Sequence, residues 1–367
     1  MHRIAVGVDP PYDVIVGTGA LAAAAGVLDG RRRVAIVSQA AVAEHHASTL
    51  ADTLTESEMF LMGDGEDAKT LATVEDLARR MARWGLLRDD AIVALGGGVV
   101  GDVAGFTAAT YHRGVTLVQA PTTLLAMVDA AIGGKTAVNL PEGKNLLGAF
   151  HQPAAVLADV ATLETLPARE YRSGLGEVAK YALMGDGVAG AAGIRDLLRR
   201  HREALAARDT DILADLVARC AAIKAAVVAA DPVERTGLRA TLNYGHTLAH
   251  ALETDGTYAL THGEAVAVGL VFALRLAECL ERLDTDAVDR SLALIESLGL
   301  PTGAPVSAGV DPAVLVELMR RDKKARGGLT FVLDGPNGLE RVDDPPAATV
   351  ERALAAVGVG PPTGMGD

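Results

Sequence analysis

Histidines and glutamates in the second half of the chain have the types and spacing of metal ligands. His246 and His250 are four residues apart in NYGHTLAH, which places both on one face of a helix. His262 follows in THGEA, and Glu177 lies earlier in GLGEVAKYAL, an apolar stretch where a charge is costly without a partner. Because zinc accepts imidazole nitrogen and carboxylate oxygen, we expect a zinc site here. These residues leave open which three side chains bind the metal.

A glycine-rich loop in the first half has the pattern of a pyrophosphate site. Gly96, Gly98 and Gly101 follow the buried-type strand Ala91–Leu95 in the order G-x-G-x-x-G and precede a helix. Glycines allow a tight turn and let backbone amides approach a phosphate closely. The pattern lies in the middle of its domain, and no acidic residue about 20 positions further on could bind a ribose. The loop therefore predicts a dinucleotide site that is not arranged in the standard Rossmann manner.

Two further loops place lysines among glycines. Lys135 lies in GGKT, and Lys144 and Asn145 lie in EGKNLLG. GGKT resembles the end of a Walker A motif, but position 129 is aspartate where that motif needs glycine, so an NTPase is not expected. A lysine in a flexible glycine turn is still a good ligand for an anion. The two loops therefore predict anion binding.

Arg239 and Asn243 precede the histidine pair. We expect both of them on or near the helix that carries His250. A guanidinium and an amide in this position could hold a carboxylate or a phosphate next to the metal. The second half of the chain thus predicts a metal and an anionic substrate in one region.

Length and composition exclude several classes of protein. The chain has 367 residues, of which 50% are hydrophobic, so it can bury a core and form about two domains. Its net charge of −13 and its 3% of aromatic residues disfavour binding to nucleic acid. It shows no secretory signal and no apolar run long enough to span a membrane. Cys220 and Cys279 lack the spacing of a disulfide framework or a CxxC site, so we expect the reducing cytoplasm and no membrane partner.

The elements that must position these residues change type between the two halves. In the first half predicted strands alternate with predicted helices, which is typical of a parallel sheet covered by helices. The strands are Tyr12–Val16, Arg33–Val37, Ser57–Met62, Ala91–Leu95 and Val115–Ala120, and the helices are Ala41–Leu54 and Leu71–Trp84. The second half has helical spacing over 170–183, 211–230, 242–254, 263–283 and 285–298, and only Leu329–Leu333 looks extended.

This pattern predicts the fold class and the domains. We expect an α/β N-terminal domain with a parallel-type sheet and a Rossmann-like nucleotide site, followed by a mainly α-helical C-terminal domain. The α/β, dinucleotide-binding domain is predicted over 1–165, and the helical, metal- and substrate-binding domain over 166–356. The segment 357–367 is rich in glycine and proline and is predicted to be a flexible tail.

Taken together, the motifs resemble the 3-dehydroquinate synthase family, within the sugar-phosphate cyclase group. The resemblance covers about residues 64–332. Its stretches are GDGEDAKT, GGGVVGDVAGFTAATYHRG, APTTLLAMVDAAIGGKTAVN, GKNLLGAFHQP, LETLPARE, GLGEVAKYAL, GLRATLNYGHTLAH, HGEAVAVG and RRDKK. Each stretch alone is modest evidence for the family, but the full series in this order is specific for it.

The resemblance implies that the chain binds NAD and zinc. NAD would be bordered by Asp64, Glu66, Lys69, Gly97, Gly98, Val99, Asp102, Thr122, Thr123, Lys135, Lys144, Thr162 and Thr165. Zinc, or cobalt in its place, would be held by Glu177, His246 and His262. His250 thereby changes from a candidate ligand to a proton carrier beside the substrate.

The resemblance also implies a substrate pocket and a homodimer. The substrate would be bound by Arg113, Lys135, Lys144, Lys224, Arg239, Asn243, Lys323 and Lys324, and the catalytic set would be Asp129, Asn145, Lys180 and His250. Arg113 would reach the site of a neighbouring subunit. Between Lys224 and Arg239 this chain is one residue longer than the family pattern, in the turn DPVERTG, and an extra loop residue costs little.

The activity that the resemblance implies is a lyase reaction of the shikimate pathway, from 3-deoxy-arabino-heptulosonate 7-phosphate to 3-dehydroquinate and phosphate. NAD would take a hydride, phosphate would leave, the hydride would return, and an aldol reaction would close the carbocycle after ring opening. The alternatives are a sister cyclase of secondary metabolism, whose product is aminated or lacks the carboxylate, and a metal-dependent polyol dehydrogenase. The lysines, and Arg239 with Asn243, favour an acidic sugar phosphate.

Overall fold

The structure is a computed structural model that describes residues 1–184, 190–235, 237–256, 259–305, 311–321 and 328–359. The chain divides into two compact units. The first unit contains Met1–Pro167 and Glu203–Val233, and the second contains Ala168–Arg202 and the chain from Glu234 onward. Each unit is made of segments that are not contiguous in the sequence.

The strands, in chain order, are β1 (His2–Val6), β2 (Tyr12–Val16), β3 (Val34–Gln39), β4 (Ser57–Met62), β5 (Ala91–Gly96), β6 (Thr116–Pro121), β7 (Lys135–Leu140), β8 (Gly143–Phe150), β9 (Ala155–Ala158), β10 (Thr330–Leu333) and β11 (Glu340–Asp343). The sequence predicts β2 and β4 with the bounds observed, and β3, β5, β6 and β10 within two residues at either end. It misses β11 in the second half, where only one extended segment was predicted.

The α-helices, in chain order, are α1 (Ala24–Val27), α2 (Ala40–Ala51), α3 (Leu71–Trp84), α4 (Gly98–Thr110), α5 (Ala168–Leu183), α6 (Ala191–Arg200), α7 (Arg202–Ala206), α8 (Thr210–Ala230), α9 (His246–Asp255), α10 (His262–Cys279), α11 (Thr285–Ser297), α12 (Pro312–Arg321) and α13 (Ala347–Ala356). Short 3-10 helices lie at Ala20–Ala23, Glu66–Ala68, Tyr111–Arg113, Val160–Glu164 and Leu238–Asn243, and a π-helix lies at Ala126–Ala130.

The first unit is built on a sheet in which seven of the described strands have the order β1-β2-β9-β6-β5-β3-β4. β1 and β2 pair antiparallel, and the other neighbours pair parallel. β5 is buried along its whole length, as expected for a central strand with helices on both faces. The predicted α/β architecture is therefore confirmed. β1 and β9 escape sequence reading because β1 is mostly exposed and β9 has only four residues.

Helices cover both faces of this sheet. On one face Leu50 of α2 shares a core cluster with Val93 of β5. On the other face Leu77 of α3 and Val103 of α4 share a second cluster with Ile92 of β5. Neighbouring residues of β5 thus point to opposite faces, because side chains alternate along a strand.

The glycine loop lies where the order of the strands reverses. β3 is hydrogen-bonded to β4 on one side and to β5 on the other. The chain therefore adds β4 on one side of β3 and then adds β5 and β6 on the opposite side. The helices that follow β3 and β5 lie on opposite faces. Such a reversal opens a crevice outside the carboxyl ends of the strands, where nucleotides bind in α/β sheets. The loop Gly96–Gly98 is at this point.

The predicted lysine loops form a separate hairpin. β7 and β8 pair antiparallel with Lys135 opposite Phe150, and a bulge lies near Val138. Gly133 and Gly134 have positive φ angles, as a turn before β7 requires. Lys144 and Asn145, which the sequence analysis placed in a loop, lie instead in β8. That prediction was wrong because the flanking glycines suggested a turn, whereas the segment is part of β8, in which Asn145 has a positive φ angle opposite the bulge.

The observed division differs from the predicted domains 1–165 and 166–356 in one respect. Residues 203–233, which were assigned to the helical domain, belong to the first unit. The helix α8 in this segment buries residues such as Leu216, Cys220 and Ile223. It packs on β1, β2 and the π-helix Ala126–Ala130. Its apolar spacing correctly predicts a helix but does not say which sheet or helix it covers.

The second unit is mainly helical, as predicted. α10 lies at its centre and packs on α5, α9, α11 and α13. It starts with a capping box in which the Thr261 hydroxyl accepts from the Glu264 backbone N–H and the Glu264 carboxylate accepts from the Thr261 N–H. The apolar run of α10 is a buried core helix. Within the part of the chain that the structure describes, no helix has both the length and the hydropathy that a membrane span requires.

The predicted tail begins later than residue 357. Val357 and Val359 are buried, and the Val357 carbonyl accepts a hydrogen bond from the Ala304 N–H at 2.8 Å. These two valines continue the core beyond α13. Residues 360–367 of the predicted tail lie outside the described residues.

Candidate functional site

Three predicted metal ligands meet in the second unit. Glu177 lies in the middle of α5, while His246 is the first residue of α9 and His262 the first of α10. The Glu177 Oε1 atom is 3.2 Å from His246 Nε2 and 3.1 Å from His262 Nε2. One donor atom from each residue lies within 4.8 Å of the other two, and Glu177 is fully buried. Among the described residues these side chains form the one such group of three possible ligands.

Glycines next to the three ligands let their helices approach one another closely. A Cβ atom on Gly176 would lie 2.2 Å from the Gly263 carbonyl oxygen, and one on Gly263 would lie 1.7 Å from the Ser173 carbonyl oxygen. Likewise, a Cβ on Gly269 would lie 2.0 Å from the Gly245 carbonyl oxygen. Backbone therefore contacts backbone between α5 and α10 and between α9 and α10. This close approach brings together ligands that are far apart in the sequence.

The second nitrogen of each histidine is held by a hydrogen-bond acceptor. His246 Nδ1 donates to the Tyr244 carbonyl oxygen at 3.1 Å. His262 Nδ1 faces both carboxylate oxygens of Glu253 at 3.3 Å. A neutral imidazole that donates from Nδ1 keeps the lone pair on Nε2, the atom that faces Glu177 in both residues. Sequence reasoning missed Tyr244 and Glu253, since neither position carries a motif signal for orienting a ligand.

The charges of this cluster suit a cation. Burial opposes ionisation of Glu177, but the charge of Lys180 and the contacts with His246 and His262 outweigh it and hold its pKa well below the usual range. Burial lowers the pKa of His246, so that imidazole is neutral. Burial also disfavours the charged form of His262, yet hydrogen bonds with Glu177 and Glu253 raise its pKa to about 10.

The donor set fits a divalent metal such as zinc. Two imidazoles and one carboxylate are a set that catalytic zinc sites use, with a further position left for substrate or water. The second oxygen of Glu177, Oε2, is buried and forms an ion pair with Lys180 Nζ at 2.5 Å, which leaves Oε1 to face the two imidazoles.

His250 stays outside this group. It lies one turn after His246 on α9, and the two rings meet edge-on with their centroids 5.4 Å apart. The helical spacing that made the pair attractive in the sequence is therefore real, but the metal-type cluster is completed by residues of α5 and α10. His250 is half-buried beside the cluster.

Arg239 and Asn243 are arranged differently from the prediction. They lie in the 3-10 helix Leu238–Asn243, which Gly245 with its positive φ separates from α9, so the predicted helix 242–254 begins only at His246. Arg239 is 2% exposed, and its Nε is 3.6 Å from Glu234 Oε1. A buried guanidinium at this turn remains a candidate for an anion. Lys323 and Lys324, also predicted for substrate, lie outside the described residues.

The predicted pyrophosphate loop has the geometry its glycines suggested. Gly97 caps the start of α4, and a Cβ on it would lie 3.0 Å from a methyl of Thr123. A Cβ on Gly101 would lie 2.9 Å from the side chain of Gln119 on β6, so this glycine allows α4 to approach the sheet. The exposed amides of Gly97 and Gly98 and the first turn with Val99 form a helix start that suits a phosphate.

Polar side chains next to this loop form one cluster. Lys69 is 4% exposed, its Nζ is 2.5 Å from Asp102 Oδ2, and it also donates to the Asn145 side-chain oxygen. Asn139 links Asn145 to Glu66, because its oxygen accepts from the Asn145 N–H at 2.8 Å and its amide donates to Glu66 Oε1 at 2.7 Å. Predicted cofactor and catalytic residues are thus in direct contact. Asn139 belongs to them, although sequence reasoning gave it no role within TAVN.

Burial and a neighbouring cation shift the pKa of Asp102 in opposite directions. Burial raises the pKa of its carboxyl, while the charge and hydrogen bond of Lys69 lower it. Removal of Lys69 would leave this carboxyl partly buried without its ion-pair partner.

The remaining predicted cofactor residues lie at the carboxyl ends of neighbouring strands. Thr122 and Thr123 follow β6, and the Thr122 N–H donates to the Gly96 carbonyl at 3.0 Å. Thr162 and Thr165 follow β9, and their hydroxyls donate to backbone carbonyls of their own turn. Asp64 is exposed in the loop after β4. All of them are on the edge of the sheet where the glycine loop lies.

The predicted substrate residues of the first unit differ from one another in their exposure to solvent. Lys224 on α8 is 5% exposed, and its Nζ reaches both the carbonyl oxygen of Asp129 at 2.6 Å and its Oδ1 at 2.9 Å. Asp129 belongs to the π-helix Ala126–Ala130, a distortion that often marks functional sites. Lys135, Lys144 and Arg113 are exposed.

Two family models match the chain. The model described as 3-dehydroquinate synthase N-terminal matches residues 59–173, and the model described as 3-dehydroquinate synthase C-terminal matches residues 174–325. The matched ranges contain the glycine loop, the lysine-bearing hairpin and the three residues of the metal-type cluster.

Similar proteins cover nearly all of the chain. A protein of Amycolatopsis mediterranei (strain S699), provisionally named aminodehydroquinate synthase, is 49% identical over 94% of this chain and 91% of its own length. A 3-dehydroquinate synthase of Mycolicibacterium vanbaalenii is 46% identical over 96% of this chain and 98% of its own. The solved 2-epi-5-epi-valiolone synthase of Streptomyces hygroscopicus subsp. jinggangensis 5008, with NAD+ and Zn2+ bound, has a TM-score of 0.84 at 30% identity and covers 94% of this chain and 96% of that one.

Proposed function

The chain belongs to the 3-dehydroquinate synthase family, and from this premise we propose that it is a lyase that converts 3-deoxy-arabino-heptulosonate 7-phosphate to 3-dehydroquinate and phosphate. The observation that carries the proposal is the buried, ionised Glu177 between two histidines whose Nε2 atoms both face it. A buried charged group is a weak source of stability, and apolar side chains in its place would stabilise the core at least as well. Its presence here therefore favours a role in function. It suits a divalent metal, zinc in this proposal with cobalt able to take its place.

The proposed reaction uses both candidate sites. The glycine loop would hold NAD, which would supply reversible hydride transfer, and Glu177, His246 and His262 would hold a metal, which would supply polarisation of a substrate hydroxyl. Lys180 keeps Glu177 ionised at an ion-pair distance of 2.5 Å. His250, half-buried beside His246, carries a proton to or from the substrate. Since the hydride returns, the net chemistry is phosphate loss with carbocycle formation, and NAD is not consumed.

The anionic groups of the substrate require fixed cations. Arg239 is buried beside Glu234 and is proposed to bind the substrate carboxylate or phosphate. Lys224 and Lys144 are proposed to neutralise further substrate oxygens, and Asp129 to hold Lys224 in place at 2.9 Å. We also propose a homodimer in which Arg113 reaches the neighbouring subunit's site, in the cytoplasm.

A specific observation supports a second candidate function. The relative at 49% identity has a name that indicates an aminated product. A substrate with an amino group in place of one hydroxyl would keep the carboxylate and phosphate that Arg239 and the lysines are proposed to bind. The two candidates therefore share every proposed contact with the anionic groups and differ at one substituent of the carbon chain.

The test is phosphate release from 3-deoxy-arabino-heptulosonate 7-phosphate with zinc and substoichiometric NAD, followed by mass analysis of the product. We expect one phosphate and one 3-dehydroquinate for each substrate, many turnovers for each NAD, and loss of activity with a strong chelator. A higher kcat/KM for the amino-substituted sugar phosphate would favour the second candidate. Steady accumulation of NADH without phosphate release would contradict both.

Arg239→Ala should weaken substrate binding severely. Loss of a buried cation that pairs with an anion costs about 2–5 kcal/mol, which corresponds to a rise in substrate Kd of about 30-fold to several thousandfold. Equilibrium binding of the substrate to zinc-loaded protein without NAD, which has no acceptor for the hydride and does not turn the substrate over, measures it. Arg200→Ala is the control, because Arg200 is an exposed arginine that pairs with Asp196 on α6. Unchanged binding in Arg239→Ala would remove this residue from the proposed pocket.

A further inference from the structure

Glu253 contacts a proposed metal ligand from the side opposite the metal-type cluster. It lies near the end of α9, the helix that begins with His246. Both of its carboxylate oxygens are 3.3 Å from Nδ1 of His262. On the other side of the same ring, His262 Nε2 is 3.1 Å from Glu177 Oε1. One imidazole is therefore held between two carboxylates.

The two histidines of the cluster are oriented by acceptors of different charge. His246 Nδ1 donates to a neutral acceptor, the Tyr244 carbonyl. His262 Nδ1 has a carboxylate as its acceptor, and a carboxylate can only accept. The contact therefore places the proton of a neutral His262 on Nδ1 and the lone pair on Nε2. A negative partner also makes the imidazole a stronger electron donor than a carbonyl partner does.

The position of Glu253 is built by the fold and not by local sequence. Glu253 and His262 are nine residues apart, on α9 and α10, and these two helices are held in backbone contact at Gly245 and Gly269. Glu253 is half-buried, with 18% of its side chain exposed, and so is partly shielded from water. A partly desolvated carboxylate polarises a hydrogen-bonded ring more strongly than an exposed one.

We propose that Glu253 is a positioning residue for the metal site, which fixes the tautomer and the ring orientation of His262 and strengthens its Nε2 as a ligand. The inference rests on the proposed metal-dependent function. It assigns to Glu253 no contact with substrate or cofactor, and its effect on the reaction would pass through His262 alone.

The test is the zinc affinity of metal-free protein, measured by competition with a chromophoric chelator. Glu253→Gln keeps the shape of the side chain and removes its charge, and we expect zinc binding about 10- to 100-fold weaker. Asp255→Asn is the matched control, since it makes the same charge change two residues further along α9, and its zinc affinity should equal that of the parent. Equal zinc affinity in Glu253→Gln and the parent would overturn the proposal, as would the same loss in Asp255→Asn.

The fold of the metal-free protein separates positioning from general support of the structure. Metal-free Glu253→Gln should keep the helical circular dichroism spectrum of the metal-free parent, so that the loss appears only in zinc affinity. Loss of the helical spectrum in metal-free Glu253→Gln would overturn the proposal. The visible spectrum of the cobalt-loaded protein should change in Glu253→Gln but not in Asp255→Asn. If the parent binds no zinc, the proposed metal site itself is wrong. If the parent binds zinc and Glu253→Gln binds it equally well, only the assignment of Glu253 is wrong.

Discussion

His246→Ala should yield protein without bound zinc and without activity, whereas His250→Ala should keep the zinc and lose activity. His246 Nε2 is one of the three donor atoms that lie within 4.8 Å of one another, and His250 is not in that group. The metal is proposed to contribute several kcal/mol to the oxidation step, so His246→Ala should lose about 1,000-fold or more in kcat. Loss of a proton carrier in His250→Ala should cost about 100- to 10,000-fold.

The two variants are controls for each other, because they make the same substitution one turn apart on α9. Metal content by atomic emission and phosphate release are measured on both. Zinc loss from His250→Ala with zinc retained in His246→Ala would reverse the assignment of ligand and proton carrier. Retention of zinc by both variants would place the metal elsewhere.

Gly263→Ala should disrupt both stability and the metal site. The new Cβ would lie 1.7 Å from the Ser173 carbonyl oxygen, a backbone atom that cannot turn aside. Helices α5 and α10 would have to separate, which moves His262 away from Glu177. Overpacking of this kind costs about 3 kcal/mol, and a displacement of about 1 Å at a reacting group costs about 100-fold in rate. We expect a lower melting temperature, weaker zinc binding and a matching loss of activity.

Gly26→Ala is the control for this prediction. Gly26 lies in α1 of the first unit, and a Cβ atom added to it would meet no atom of a neighbouring element within 4 Å, so alanine should be neutral or slightly stabilising. Melting curves and zinc titrations of the two variants decide the outcome. Parent-like zinc affinity in a folded Gly263→Ala protein would show that the close approach of α5 and α10 is not what positions the ligands.

Both predictions concern ligands that come from three different helices. Spacing within one helix favoured the pair His246 and His250, because a periodicity of four residues reports only which side chains share a face. The resemblance to a family named Glu177 and His262 in place of His250, and the structure brings these two side chains to His246. Their meeting depends on helix starts and on glycine contacts between helices, which no local pattern contains.

Local patterns in the sequence predict the type of most long elements. Ser57–Met62 and Leu71–Trp84 were predicted with the observed bounds, since alternation and helical spacing are local properties of the chain. The glycine loop after Ala91–Leu95 was also readable, because a tight turn with exposed amides needs glycine at set positions. Short or exposed strands such as β1 and β9, and the hairpin strand β8, carry too little of this pattern to be recognised.

Which elements contact one another depends on packing between segments that are distant in the sequence. Apolar spacing shows which face of α8 is buried but not that it packs on the sheet of the first unit. The reversal of strand order that places the glycine loop at a crevice depends on pairing between distant segments. Asn139 and Glu253 acquire their contacts with Asn145 and His262 in the same way. Local periodicity is set by neighbouring residues, whereas these contacts are set by the packing of whole helices and strands, and so they emerge only in the folded chain.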